Sequence, residues 1–222
     1  MSQLVIGLGT GRCGTRSFTK FLKENGRFAL HDHYHLPWEP DYQRASDALA
    51  DLFSRSEGAP TSSVAFYWLN YVEWLAAKIE DVRFVCLKRE KEKVVRSFMS
   101  SLKRLSPYFR MWNAIDLKMS GIKSFSLDSQ YDKSVMDTVN ESTREWMAAE
   151  WYLESRIDQV TESFPDYEGI TDKKIYLEKY WDEYYAKAER LAELPNFMLV
   201  DLEYGLNTDT GRREILNFIG DS

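Results

Sequence analysis

Apolar positions along this chain form short continuous runs that alternate with stretches of helical period. Leu4 to Leu8 is continuous and partly β-branched, and reads as a buried strand. Phe18, Phe21 and Leu22 recur at helical spacing, so a helix is predicted over residues 18–25, closed by Gly26. Phe28 to Leu30 is a short second strand. It runs into a polar segment with His31, His33 and His35 that stops at Pro37 and Pro40. Ala48, Leu49, Leu52 and Phe53 share one face of a helix predicted over 45–54. A weak strand follows at 63–66, then a helix over about 69–79, a clear strand at 82–87 and a charged helix over about 91–105. From 106 to 137 no period holds, which predicts a long loop or lid with short helical pieces. Trp146, Leu153, Ile157 and Val160 mark a helix over about 140–164. Leu177, Tyr180, Trp181, Tyr184 and Leu191 mark another over about 173–194, whose acidic residues predict a solvated face. A strand at 197–200 and a helix at 212–219 close the pattern.

Strands alternate with helices, and no hairpin dipeptide joins two apolar runs. The predicted fold class is α/β: three layers, α/β/α, around a central parallel sheet, with a P-loop-like strand, loop and helix at the N-terminus. A single domain is expected over 1–222, with a variable helical or lid region over about 106–195. Ligands of such sheets bind at the carboxyl ends of the strands. The first loop, the histidine segment and the residues after Leu87 all fall there.

Composition narrows the class. The net charge of −6 argues against a general nucleic-acid binder. Two cysteines, Cys13 and Cys86, fit a reducing compartment rather than a disulfide scaffold. The first apolar run lacks preceding basic residues and is broken by glycines, unlike a signal peptide. No stretch reaches the roughly 20 apolar residues of a membrane span. A soluble, cytoplasmic protein is expected, and the oligomeric state leaves no trace in the sequence.

The chemistry begins in the loop. Gly9-Thr10-Gly11-Arg12-Cys13-Gly14 places glycines between a strand and a helix start, where unpaired N–H groups and the helix dipole favour an anion. Arg12 and Arg16 bracket that start. The run matches G-x-G-x-x-G, and Asp32 lies 18 residues beyond Gly14, as a dinucleotide fold would use it. Gly9 to Gly14 also has the glycine spacing of a nucleoside-triphosphate loop, which would make the chain a nucleotide kinase. However, Thr15-Arg16 stands where that loop needs Lys-Ser or Lys-Thr. After the strand at 82–87 comes Lys88-Arg89, and Ser97 follows Arg89 by eight residues. An arginine offers phosphate a planar fork of permanent charge, and a serine adds a neutral donor. His31, His33 and His35 are all the histidines in the chain, and on an extended backbone they would share one side. Histidine is a suitable general base near neutral pH. Alternatively the three, with Asp32, form a metal site, or they are ordinary loop residues; Asp32 and Glu39 are reserve bases. Tyr67, Trp68, Tyr71 and Trp74 read as core. Tyr108, Phe109 and Trp112 either line an acceptor pocket or pack without a ligand.

Gly9-Thr10-Gly11-Arg12-Cys13-Gly14-Thr15-Arg16-Ser17 resembles the 5′-phosphosulfate loop of the sulfotransferase family. Arg89 with Ser97 is similar to the family's arginine and serine that hold the 3′-phosphate of the donor, although Glu90-Lys91 replaces its usual Asn-Pro or Asp-Pro. His31 resembles the base position of members with a Gly-Arg-x-Gly-Thr loop, whereas His35-Leu36-Pro37 is similar to the His-Leu-Pro of cytosolic members. Residues 197–206 with Phe218-Ile219-Gly220 resemble the family's closing strand, Glu-x-Leu turn and helix, with one extra residue before Leu206. The family's late basic loop over the adenine has no counterpart, so coverage could come from the region 103–123. The resemblance implies transfer of a sulfonyl group from 3′-phosphoadenosine-5′-phosphosulfate (PAPS) to an acceptor hydroxyl or amine on a small molecule, glycan or lipid, with 3′,5′-adenosine bisphosphate (PAP) as product. Gly11, Arg12, Cys13, Gly14, Thr15, Arg16 and Ser17 would hold the phosphosulfate, and Arg89 and Ser97 the 3′-phosphate. One of His31, His33 or His35 would be the base. Arginines, not a metal, would carry the charge. An acidic chain mildly disfavours a polyanionic acceptor, unless Lys103, Arg104 and Arg110 form a local patch.

Overall fold

The computed structural model describes residues 3–99, 163–170 and 172–221. Met1–Arg96 and Gln159–Ser222 pack as one compact unit, and Ser97–Asp158 belong to a second. The unsettled region with Lys103, Arg104, Tyr108, Phe109, Arg110 and Trp112, and the helix expected at 140–164 up to residue 162, lie outside the described residues.

The first unit is an α/β fold. Its strands are β1 (Leu4–Leu8), β2 (Phe28–His31), β3 (Thr61–Val64), β4 (Val82–Lys88) and β5 (Phe197–Asp201). They form one sheet in the order β2-β3-β1-β4-β5, and every pairing is parallel. The helices are α1 (Thr15–Glu24), α2 (Tyr42–Ser56), α3 (Val72–Lys78), α4 (Lys173–Leu191), α5 (Leu202–Asn207) and α6 (Asp209–Ile219). Residues 91–99 are also helical.

Strand periodicity sorts the core into two sides. Leu4, Ile6 and Leu8 of β1 join Phe84 and Cys86 of β4 in a cluster with Leu49 and Leu52 of α2, Leu75 of α3 and Tyr184 of α4. Val5 and Val85, of the opposite parity, are equally buried but lie outside that cluster, as do Phe18, Leu22, Ile215 and Ile219 of α1 and α6. Gly7 shows why α1 can sit so close: a Cβ there would stand 2.9 Å from the Phe18 ring and 2.8 Å from Val64. Helices therefore cover both faces, in keeping with three layers.

Two local expectations shift. The third strand ends at Val64, and Phe66–Tyr71 coils into a 3₁₀ turn ahead of α3. Bulky aromatics drive this turn: Tyr67, Trp68 and Tyr71 are wholly buried, and Trp68 Nε1 donates to Ser63 Oγ at 2.9 Å. The turn expected after the last strand is instead the short helix α5, begun by Asp201, whose carboxylate accepts the Glu203 and Tyr204 N–H groups.

At the opposite, amino end of the sheet, one buried cation ties the strands together. Arg27, with 1% of its side chain exposed, pairs with Asp221 at 2.8 Å. It also donates to Ser62 Oγ, Gln3 Oε1 and the Gln3 and Thr61 carbonyls. Removing one partner strands the other charge. Arg27→Ala is therefore expected to lower unfolding free energy by about 3–5 kcal/mol. A urea titration checks this: a midpoint unchanged from wild type contradicts the role given to Arg27.

Candidate functional site

The loop between β1 and α1 lies at the carboxyl end of β1, with β3 and β2 to one side and β4 and β5 to the other. Such a switch point opens a crevice for ligand. Gly9, Gly11, Arg12 and Gly14 have φ of 146°, 77°, 54° and 88°. A side chain at Gly9 would collide with Cys13 Sγ, and one at Gly14 with Leu202 of α5. Left-handed residues in a tight loop turn backbone N–H groups into a concavity suited to an anion. The Gly11 N–H closes back on the Gly9 carbonyl at 2.7 Å.

Helix ends sharpen the point. Asp41, Asp172, Asp201 and Thr208 begin α2, α4, α5 and α6, and each side chain accepts first-turn N–H groups. α1 begins instead at Gly14, which has no side chain to offer, and its first turn holds no acid. Arg16 and Ser17 are exposed on that turn, whereas Thr15 is buried. Positive charge and uncapped N–H groups thus meet at one place.

Arg89, just beyond β4, reaches the same place. Its Nη1 donates to the Arg12 carbonyl at 3.0 Å. Its Nε is buried and donates to nothing among the described residues; Glu203 Oε1 stands 3.8 Å away. Ser97 is half-buried in the helix at 91–99 and opens the second compact unit.

α4 holds both the loop and the strand end. Tyr184 Oη accepts the Gly9 N–H at 2.9 Å and donates to the Phe66 carbonyl at 3.1 Å. Tyr185 Oη donates to the Leu87 carbonyl at 2.7 Å, Tyr180 Oη to the Thr10 carbonyl at 3.4 Å, and Trp181 Nε1 to the Arg89 carbonyl at 3.0 Å. On the exposed side of α4, Glu189 pairs with Lys88 and Asp182 with Lys91, both at 2.6 Å. These acids remain exposed, as expected of a solvated face, while the contacts to the loop come from the aromatics on the other side of the helix. Its aromatics were legible as a stripe at helical spacing, but their hydroxyl partners were not. Cys13 is buried against the same tyrosines. Burial pushes its thiol up to about 11, so its side chain is core and only its backbone faces the loop.

The histidines separate. His31 ends β2, with Nε2 3.0 Å from Thr15 Oγ1 and Nδ1 3.3 Å from Asp32 Oδ2. His33 is exposed and meets Tyr34 edge-on at 4.9 Å. His35 tilts against Tyr67 at 6.1 Å, and its carbonyl accepts from Arg44. The extended backbone that would align all three is corrected: β2 stops at His31, and Asp32 and His35 turn left-handed at φ 44° and 49°. Among the described residues, no three His, Cys, Asp or Glu side chains gather as a metal-binding group. The strand order also departs from the dinucleotide pattern, which places β2 beside β1; here β3 lies between them.

Asp32 keeps 35% of its side chain exposed, yet its Oδ1 is sealed and has no partner among the described residues. Burial raises its carboxyl above the ordinary value, against the pull of His31, Arg16 and Arg12. A charge held at such a cost destabilises the ligand-free protein at neutral pH. Asp32→Asn is expected to raise the melting temperature of the ligand-free protein at neutral pH. Because folding raises this pKa, the wild type recovers stability as pH falls through the raised value, and the gap to the variant closes. Melting curves of both proteins from neutral to acid pH check this. A variant less stable than wild type at neutral pH contradicts it.

No family model matches the chain, and no curated protein matches it either. Among the described residues, no helix is long and apolar enough to cross a membrane.

Proposed function

We propose that this chain is a sulfotransferase, moving a sulfonyl group from PAPS to an acceptor hydroxyl or amine and releasing PAP. The observation that carries the reading is the contact between Arg89 Nη1 and the Arg12 carbonyl, 77 residues apart in the chain. It joins the loop that resembles the family's phosphosulfate loop to the arginine that resembles its 3′-phosphate ligand. The uncapped start of α1 and the unsatisfied Arg89 Nε support an anion at each.

In this reading the acceptor oxygen or nitrogen bonds to sulfur as the bond from sulfur to the 5′-phosphate oxygen breaks. Backbone N–H groups of residues 11–17 and the Arg12 side chain meet the charge that develops on the leaving phosphate, where fixed donors lower the barrier most. Thr15 and Arg16 assist. Arg89 holds the 3′-phosphate. His31, the histidine bonded to Thr15, takes the acceptor's proton. The acceptor is a small molecule, a glycan or a lipid. Both cysteines are free thiols, which suits the cytoplasm.

A thermal-shift panel tests the proposal, since a ligand that binds only the folded state raises the melting point. PAP is expected to stabilise the protein more than ATP with magnesium or NAD does. Arg89→Ala should weaken PAP by roughly 10- to 100-fold, the worth of a charge-assisted hydrogen bond, and leave 5′-AMP almost unchanged. Arg12→Ala should abolish transfer without unfolding the chain. A larger shift with ATP and magnesium favours the kinase reading. Equal PAP affinity in Arg89→Ala and wild type removes the 3′-phosphate assignment.

A further inference from the structure

We infer that Thr15, His31 and Asp32 form one proton relay, in which Asp32 is a positioning residue for His31 and Thr15 latches that base to the donor loop. The inference rests on the sulfotransferase reading and deepens it by naming the base, its orienting group and its link to the donor site. The geometry is a chain of three groups. Thr15 Oγ1 lies 3.0 Å from His31 Nε2, and His31 Nδ1 lies 3.3 Å from Asp32 Oδ2. A carboxylate can only accept, so in the neutral ring the proton sits on Nδ1, and Nε2 presents a lone pair that the Thr15 hydroxyl fills. The same logic orients the histidine of a serine-hydrolase triad. Here, however, the hydroxyl is buried at the first residue of α1, inside the candidate anion site, and is placed to hold rather than to attack.

Asp32 is built for this task. Its left-handed backbone, φ 44°, is a conformation that a non-glycine residue adopts at a cost. Its N–H is fixed to the Val64 carbonyl at 3.0 Å, which locks it to the end of β3. The relay gives the reaction an order. In the ligand-free protein, Nε2 is engaged by Thr15. A phosphosulfate in the loop recruits the Thr15 hydroxyl to its oxygens, and the Nε2 lone pair is released toward the acceptor. On transfer, the acceptor's proton passes to Nε2 and sulfur gains the acceptor oxygen. The electron pair of the broken sulfur–oxygen bond stays on the 5′-phosphate. Asp32 remains a carboxylate, hydrogen-bonded to the imidazolium. Donor therefore binds before the base becomes available.

Long-range proton–nitrogen correlation of the imidazoles, at mildly alkaline pH, tests this on ligand-free protein. The chain has 3 histidines, so His33→Gln and His35→Gln assign the signals. His31 is expected to carry its proton on Nδ1. Asp32→Ala, which can neither accept nor donate, should abolish that preference, whereas Asp32→Asn keeps an acceptor oxygen and should only weaken it. Addition of PAP, raised until each protein is saturated as judged by its own thermal shift, should move the His31 Nε2 signal in wild type and leave it unmoved in Thr15→Val, which binds PAP more weakly for want of the hydroxyl. A His31 proton on Nε2 in wild type, an unchanged tautomer in Asp32→Ala, or an equal PAP response in Thr15→Val overturns the relay. Absence of any thermal shift with PAP overturns the sulfotransferase reading instead, and the ligand-free tautomers then judge the relay by themselves.

Discussion

The hydroxyl of Tyr184 is the contact on which the site depends. The loop after β1 turns its backbone left-handed, so its N–H groups cannot be satisfied by continuing a strand or a helix. Its shape has to be held from outside. Tyr184 does this by accepting the Gly9 N–H while donating to the Phe66 carbonyl, and so ties the first loop to the aromatic turn after β3. Tyr185 and Trp181 of the same helix fix the Leu87 and Arg89 carbonyls at the end of β4. One helix thereby sets the spacing between the two halves of the candidate site. A fully buried tyrosine can serve because both capacities of its hydroxyl are used, which removes the cost of burying it.

Strain collects around the same loop. Among the described residues, the non-glycine residues with positive φ are Arg12, Asp32 and His35, all at the carboxyl end of the sheet, and Glu57, which ends α2. Asp32 Oδ1 and Arg89 Nε are buried without partners among the described residues. A fold retains such costs where a ligand offsets them. The amino end of the sheet shows the opposite pattern. There Arg27 is fully engaged by Ser62, Gln3, Thr61 and Asp221.

Much of the fold could be read from periodicity. The strands at β1, β2, β4 and β5 were visible as short apolar runs, and the absence of hairpin turns implied the parallel sheet that is found. The strand, glycine loop and helix start of the candidate site were visible too, because glycine spacing before a helix is a local signal. What could not be read depends on partners far along the chain. The 3₁₀ turn at Phe66–Tyr71 forms because three aromatics are buried together, not because of propensity. The histidine segment looked extended because alternate spacing is all that sequence shows. Its left-handed turns at Asp32 and His35 are imposed by packing against Val64 and Tyr67. The tyrosines of α4 announced a buried stripe, but which carbonyls they reach lies roughly a hundred or more residues away.

The central claim is that the loop of residues 9–17 and Arg89 form the two ends of one nucleotide site. A crystal structure of the protein with PAP tests it most directly. The account predicts the 5′-phosphate on the N–H groups of residues 11–17 and the 3′-phosphate on the Arg89 guanidinium, with Nε satisfied and Glu203 displaced from it. A nucleotide bound elsewhere, or bound with its two phosphates exchanged, contradicts the account.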